Sequence, residues 1–301
     1  MLNSSLFLLS LLACAQEVTE VRPWQQVGEV RKLGGGMGFV EGPVWLPAEK
    51  RLVFSDIPRS KLMQWTEADG VTEWRDSANA NGNILDLEGR LLSCQHGARN
   101  LIRIDAEGAV EVLADRFDGK RFNSPNDVAV RSDGTLWFTD PPWGLPRQSE
   151  GRELEGHYVF RLDLEDGNVT AVLTDRCMPN GIAFSPDENT LYVADTGGHP
   201  SHPDAQLRKL PATVSAYRVL PDQSLAVEPL WRIETICDGM CVDKDGRIYA
   251  TGRTGVTVWS SEGKPLGEIK VPEQPANVCL GGPQGRTLFI TARTSLYAAE
   301  L

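Results

Sequence analysis

Six oxygen-bearing side chains, Glu41, Asn81, Asn126, Asn180, Asp238 and Asn277, fall at the same point of six successive sequence repeats. Carboxylate and amide oxygens are the donors a hard divalent cation takes. Glu41 and Asp238 together match the charge of one such ion, and the asparagines would add neutral oxygens without surplus charge. Asn and Asp also favour turns and strand starts, so the column alone admits a purely structural reading as well.

The elements that must position these residues follow from the repeats. Each repeat has an apolar strand, a turn and a second strand, as in EKRLVFSD, LEGRLLSCQ, SDGTLWFTD, DENTLYVAD, KDGRIYATG and PQGRTLFITA. Leu52, Leu91, Leu136, Leu191, Ile248 and Leu288 mark the second strands, and each polar residue stands about ten positions before its mark. The marks recur at roughly 40 to 57 residues, the length of a four-stranded propeller blade with insertions in the middle of the chain. Period-two alternation and β-branched or aromatic content support strands, with little helical periodicity.

The last repeat supplies three strands (ANVCL, TLFITA, SLYAAEL), and an orphan strand, QVGEVRKL at 26–33, precedes the first. Joining them closes a ring without exposed edges. The expectation is an all-β, six-bladed β-propeller whose N-terminal strand completes the last blade. The first strand of each blade lines the central channel, so the six polar residues would ring one mouth of it. The GGGMG run at 34–38 would turn the chain into blade one, since no βαβ unit surrounds it to make a dinucleotide site.

At 301 residues and net charge −11, with no Lys/Arg cluster, the chain reads as one large domain with no nucleic-acid partner. Residues 1–14, MLNSSLFLLSLLAC, have the length of a signal-peptide core and are too short to span a bilayer. Leu11, Leu12, Ala13 and Cys14 resemble a lipobox. The expected organisation is therefore a lipoprotein-like signal at 1–14, a tether at 15–23 and a propeller hydrolase domain at 24–301. The location would be extracytoplasmic and periplasmic, with membrane contact only through a lipid on Cys14, and a monomer is expected. Cys237 and Cys241, about 13 Å apart on an extended strand, cannot pair with each other.

The motifs EGPVW (41–45), FSDIPRSKLMQW (54–65), NSPNDVAVRSDGTLWFTDPPWGL (123–145), PNGIAFSPDENTLYVADT (179–196) and DGMCVDKDGRIYAT (238–251) resemble the gluconolactonase, regucalcin (senescence marker protein) and luciferin-regenerating family. The resemblance covers nearly everything after residue 35. It implies a six-bladed propeller and a metal-dependent hydrolase of sugar lactones, with Glu41, Asn126, Asn180 and Asp238 as metal ligands. Asn81 and Asn277 would then stand behind the ligands or over the channel. Oxygen-only donors favour Ca2+, with Zn2+, Mn2+ or Mg2+ as alternatives. A cation with open positions would stabilise the oxyanion formed when water attacks the lactone carbonyl, and Asp238 is the candidate proton acceptor.

Substrate-binding candidates are His96 in QHGARN, Arg99 and Arg121 as guanidinium donors, and Trp143 in the long insertion, which would stack on a sugar ring. Strand alternation sends Asp127 into the blade rather than the channel. His199 and His202, in a Pro-rich loop, read as surface residues. No G-x-S-x-G, H-E-x-x-H or Walker motif is present. Two rivals share the metal site: hydrolysis of an organophosphate or other ester, and a non-catalytic binding module that the ion merely stabilises.

Overall fold

The computed structural model describes residues 24, 28–200 and 202–301. The expected signal, tether and Cys14 therefore lie outside the described residues, as do Gln26 and Val27 of the expected closing strand. The described chain forms six four-stranded antiparallel sheets, the blades of a propeller, and one extra two-stranded hairpin, Arg116–Phe117 with Lys120–Arg121. Blade one consists of Val40–Leu46, Arg51–Asp56, Lys61–Thr66 and Gly70–Asp76, paired in that order from the channel outward. The innermost strands of blades two to six are Ala80–Leu85, Val128–Val130, Pro179–Phe184, Met240–Val242 and Pro275–Gly281.

The ring closes as the sequence predicts. Arg31–Gly34 pairs antiparallel with Ser295–Glu300 and becomes the outer strand of blade six. It is shorter than the expected 26–33 and ends one residue later. Arg31 sits opposite Ala298, two residues before the end of the partner strand.

Apolar side chains fill the spaces between blades. Six buried clusters are found among the described residues, and each draws on two neighbouring blades. Phe54 and Phe289 join blades one and six, for example, and Tyr192 and Ile248 join blades four and five. Full burial of each such side chain stabilises by about 1.5–3 kcal/mol, which is why strands such as Leu136–Asp140 are buried along their whole length.

Around the channel, the blades are also joined through backbone. The N–H of Gly82 donates to Asn126 O (2.8 Å), that of Gly181 to Asp238 O (2.7 Å) and that of Gly239 to Ala276 O (2.7 Å). Hydroxyls reinforce the links: Ser55 donates to Asn81 O at 2.7 Å and Thr139 to Asn180 O at 2.7 Å. This close approach needs glycine. A Cβ on Gly181 would lie 2.5 Å from Asp238 O, and one on Gly42, whose φ is +50°, only 2.0 Å from Asn81 O.

Candidate functional site

The six polar residues of the sequence column do converge at one end of the channel. Glu41, Asn81, Asn180 and Asn277 lie in the opening turns of their inner strands, and Asn126 and Asp238 stand just before theirs. Glu41, Asn81, Asn126, Asn180 and Asn277 are buried, while Asp238 is half-buried. Register shifts follow these residues in blades one, two and four, and a shift precedes Asn277 in blade six. Such bulges re-aim side chains at the rim of a sheet.

The contacts tie the ring residues to one another. Asn180 Nδ2 donates to Asp238 Oδ1 at 2.7 Å, which leaves the Asn180 amide oxygen as its remaining donor to a cation. Asn277 Oδ1 accepts the Val278 N–H at 2.8 Å, and its amide nitrogen serves both Glu41 and Asp127. Asn277 thus ties the Glu41 and Asp127 carboxylates together. Asn81 Nδ2 lies 3.0 Å from His96 Nε2. Burial holds His96 neutral, with its pKa lowered to about 4, so Nε2 accepts and Nδ1 carries the proton.

Three carboxylates act on one another around the ring. Burial, followed by the charges of Asp238 and Asp127, raises Glu41 well above the ordinary carboxylate range. Burial raises Asp238 to about 6, against the opposing effects of the Asn180 hydrogen bond and the Arg293 charge. Burial also raises Asp127 to about 7, although backbone N–H groups and Asn277 pull the other way. Desolvated like charges of this kind favour either protons or a cation, and the all-oxygen donor set suits a hard one. Among the described residues no three His, Cys, Asp or Glu side chains form a metal cage. The proposed set has two carboxylates, and its other donors are asparagine amides.

Several expectations need correction. Asp127 does not point into the blade. Asn126 N bonds Thr139 O (2.8 Å) while Thr139 N bonds Asp127 O (3.0 Å), so two residues oppose one and simple alternation fails. Asp127 instead lines a channel cavity of about 480 Å3 on the far side of the ring, together with Asn83 and Asn277. Val44, Val128, Ile182 and Val278 supply its apolar lining, and the outer end reaches Ser185, Pro186 and Glu188 in the turns of the opposite face.

Arg99 and Arg121 both bond loop carbonyls, Arg99 through most of its guanidinium and Arg121 through one nitrogen. Arg99 Nε donates to Phe122 O (2.6 Å) and Nη1 to Gly151 O (3.0 Å), and Arg121 Nη2 donates to Ala98 O (2.6 Å). His202 is buried, not on the surface: its ring meets that of His157 edge-on at 4.5 Å, and Nδ1 accepts the Asp204 N–H at 3.0 Å.

His96 and Trp143 occupy the mouth side. A Cβ on Gly144 would lie 2.5 Å from His96 Cβ, so the 141–156 loop packs directly on His96. Half-buried Trp143 meets His199 of the 196–212 loop at 5.6 Å, ring edge to face. These two long loops form one wall over the mouth.

The sequence reading missed a second recurrence, the aspartates closing FSD, FTD and VAD. Asp56, Asp140 and Asp195 are buried and accept backbone N–H groups of the segment entering their own inner strand: Gly38 at 3.0 Å, Asn123 at 2.7 Å and Cys177 at 2.9 Å. They set the path of the chain into the ring.

Comparison with known proteins agrees with this architecture. The profile of the SMP-30/Gluconolactonase/LRE-like region matches residues 39–294. A gluconolactonase of Zymomonas mobilis is 32% identical over 87% of this chain and 78% of its own. The structure of a gluconolactonase from Xanthomonas campestris superposes with a TM-score of 0.80 at 35% identity, covering 91% of this chain and 89% of that one. Regucalcin from Agrobacterium tumefaciens, a calcium-binding protein, shares the fold at TM-score 0.69 and 20% identity, over 91% and 93% of the two chains. The shared propeller, the match across nearly the whole domain and these relatives place the chain in the SMP-30/gluconolactonase/luciferin-regenerating family.

Proposed function

We propose that the protein is a lactonase that opens a sugar lactone of the gluconolactone type, using a divalent cation held by Glu41, Asn126, Asn180 and Asp238. The observation that carries this reading is the meeting of buried Glu41 and half-buried Asp238, which repel each other, with amide oxygens at the channel mouth. Membership of a family containing a gluconolactonase of 32% identity supplies the substrate class.

A bound divalent ion, with calcium preferred for an all-oxygen site, would supply Lewis-acid stabilisation of the charge that builds on the lactone oxygen. Asp238 is the ring carboxylate nearest solvent, so it takes the proton of the attacking water. Asn180 orients it through the 2.7 Å bond to Oδ1. Glu41, buried beneath the mouth, contributes charge rather than proton transfer. Neutral His96 presents Nδ1–H as a donor while Nε2 is held by Asn81, and Trp143 offers an apolar face to the sugar ring.

The test is proton release from D-glucono-1,5-lactone by the full chain, stripped of metal and then given calcium, zinc, manganese or magnesium, with spontaneous hydrolysis subtracted. Turnover restored by metal and lost in Asp238→Ala is expected. Metal-independent turnover, or full activity in Glu41→Ala, would refute the site assignment.

A further inference from the structure

The rim of the mouth changes character between blades. Where blades one, three and four close their second strands with Asp56, Asp140 and Asp195, blades five and six have Gly252 and Ala292. An arginine follows each, in TGRT at 251–254 and TART at 291–294. In blade two the residue in the arginine's phase is His96, after Gln95. The registers put all three at the mouth, since Ala250 pairs with Met240, Ala292 with Pro275 and Gln95 with Ala80, at the ring ends of the inner strands.

Contacts hold both arginine turns against the ring. Thr251 Oγ1 accepts the N–H groups of Asp238 and Gly239 at 3.1 Å, and Arg293 O accepts the N–H of Val40, beside Glu41, at 2.9 Å. Arg293 takes φ +47° in a two-residue hairpin turn, a place that asparagine or glycine fills more easily. Its charge reaches Asp238. In a ring of six, blade six faces blade three, so Arg293 stands across the mouth from the loop that carries Trp143.

Other arginines near the mouth are engaged. Arg59 pairs with Asp56 at 3.6 Å, and Arg99 and Arg121 bond loop carbonyls. Arg253 and Arg293 are exposed. Among the described residues the Arg253 side chain has no hydrogen-bond partner, and that of Arg293 donates only to Gln274 Oε1, at 2.8 Å. Glu273, the acid next to Gln274, is taken up by Ser295, Tyr297 and Lys32. With a divalent ion matching Glu41 and Asp238, this sector of the rim keeps surplus positive charge. Open guanidinium forks donate to the paired oxygens of a carboxylate or phosphate.

We propose that Arg253 and Arg293 form an anion subsite on the rim of blades five and six, and that the natural substrate is a lactone carrying an acidic group, a carboxylate or a phosphate, at the end remote from the reacting carbonyl. The inference rests on the lactonase reading for the reacting end and on the rim alone for the acidic one.

The test uses lactones that differ only at the far end: D-glucaro-1,4-lactone against D-glucono-1,4-lactone for the carboxylate, and 6-phospho-D-glucono-1,5-lactone against D-glucono-1,5-lactone for the phosphate. Each is hydrolysed by the metal-loaded full chain and by an Arg253→Ala, Arg293→Ala double variant. In the wild type, kcat/KM for the acidic member of one pair should exceed that for its neutral partner by about tenfold or more, and the double variant should bring that ratio to about one. The pair that responds identifies the anion. A wild-type ratio of about one in both pairs, or a ratio unchanged in the double variant, overturns the subsite and leaves the lactonase reading standing. If no lactone is hydrolysed, the lactonase reading falls, and calorimetry with D-glucarate and with inorganic phosphate decides the subsite. Binding weakened about tenfold in the double variant upholds it, and binding that is absent or equal in both chains overturns it.

Discussion

Replacing Gly42 by alanine tests whether the ring depends on the close approach of neighbouring inner strands. Gly42 has φ +50°, and an added Cβ would fall 2.0 Å from Asn81 O and 2.8 Å from Gly82 Cα. An ordinary carbon–oxygen contact is about 3.3 Å, so the blade-two strand must retreat by about 1 Å. The left-handed backbone costs about 1–3 kcal/mol for a residue with a side chain, and the overpacking costs about 1–3 kcal/mol more. Gly70→Ala isolates the first effect, because Gly70 has φ +67° and no atom within 4 Å of its would-be Cβ. At about 2–4 °C per kcal/mol, Gly42→Ala should melt roughly 5–20 °C below the wild type, and Gly70→Ala only a few degrees below. Displacing Asn81 and Glu41 should also cut lactone turnover by about tenfold or more, since misplacement of about 1 Å commonly costs that much. Thermal unfolding by circular dichroism and proton release together read both effects. Equal melting temperatures for the two variants, or undiminished turnover in Gly42→Ala, would refute the reasoning.

Calcium binding should be linked to protons. Glu41 and Asp238 hold protons to higher pH than ordinary carboxylates, Asp238 to about 6, and the ion must displace them. Affinity then rises with pH and falls about tenfold per pH unit for each displaced proton, Asp238 contributing its share below about pH 6; calorimetry in two buffers of different ionisation heat counts the protons, and a flat profile from about pH 4 to 6 contradicts it. Arg99→Ala should lower stability by about 1–3 kcal/mol through loss of its carbonyl contacts, with KM for the lactone unchanged; a raised KM at unchanged stability would return Arg99 to the substrate site. Asp195→Ala frees the N–H groups of Cys177 and Met178 and should cost about 2–4 kcal/mol in urea unfolding, and a loss below about 0.5 kcal/mol would show that this aspartate does not hold the entry to blade four.

The ring was legible in the sequence because side-chain type and blade phase had to coincide at Glu41, Asn81, Asn126, Asn180, Asp238 and Asn277. The closing strand was legible because the last repeat lacked a partner that Arg31–Gly34 could supply. What stayed hidden depends on geometry that one-dimensional patterns do not carry. The bulge opposite Thr139 sends Asp127 to the channel against the alternation rule. Arg99 and Arg121 resemble substrate clamps until their carbonyl partners, such as Gly151 across a long loop, are known. His202 sits in a Pro-rich stretch that reads as surface, yet the 196–212 loop folds it against His157. The glycine after Glu41, Asn81, Asn180 and Asp238 was a visible signal, and its meaning emerges only from the carbonyl it approaches.

The pairing of Arg31–Gly34 with Ser295–Glu300 also sets a timetable. The first strand of the domain leaves the ribosome long before its partner, and at about 5–20 residues per second the wait lasts tens of seconds. Throughout that interval blade six is incomplete, Asn277 is missing from the site for much of it, and the flanks of blades one and five that Phe289 and Ile290 will cover lie open. Hydrolytic competence therefore waits until Ser295–Glu300 has emerged, and synthesis stalled before that point leaves an open and adhesive ring.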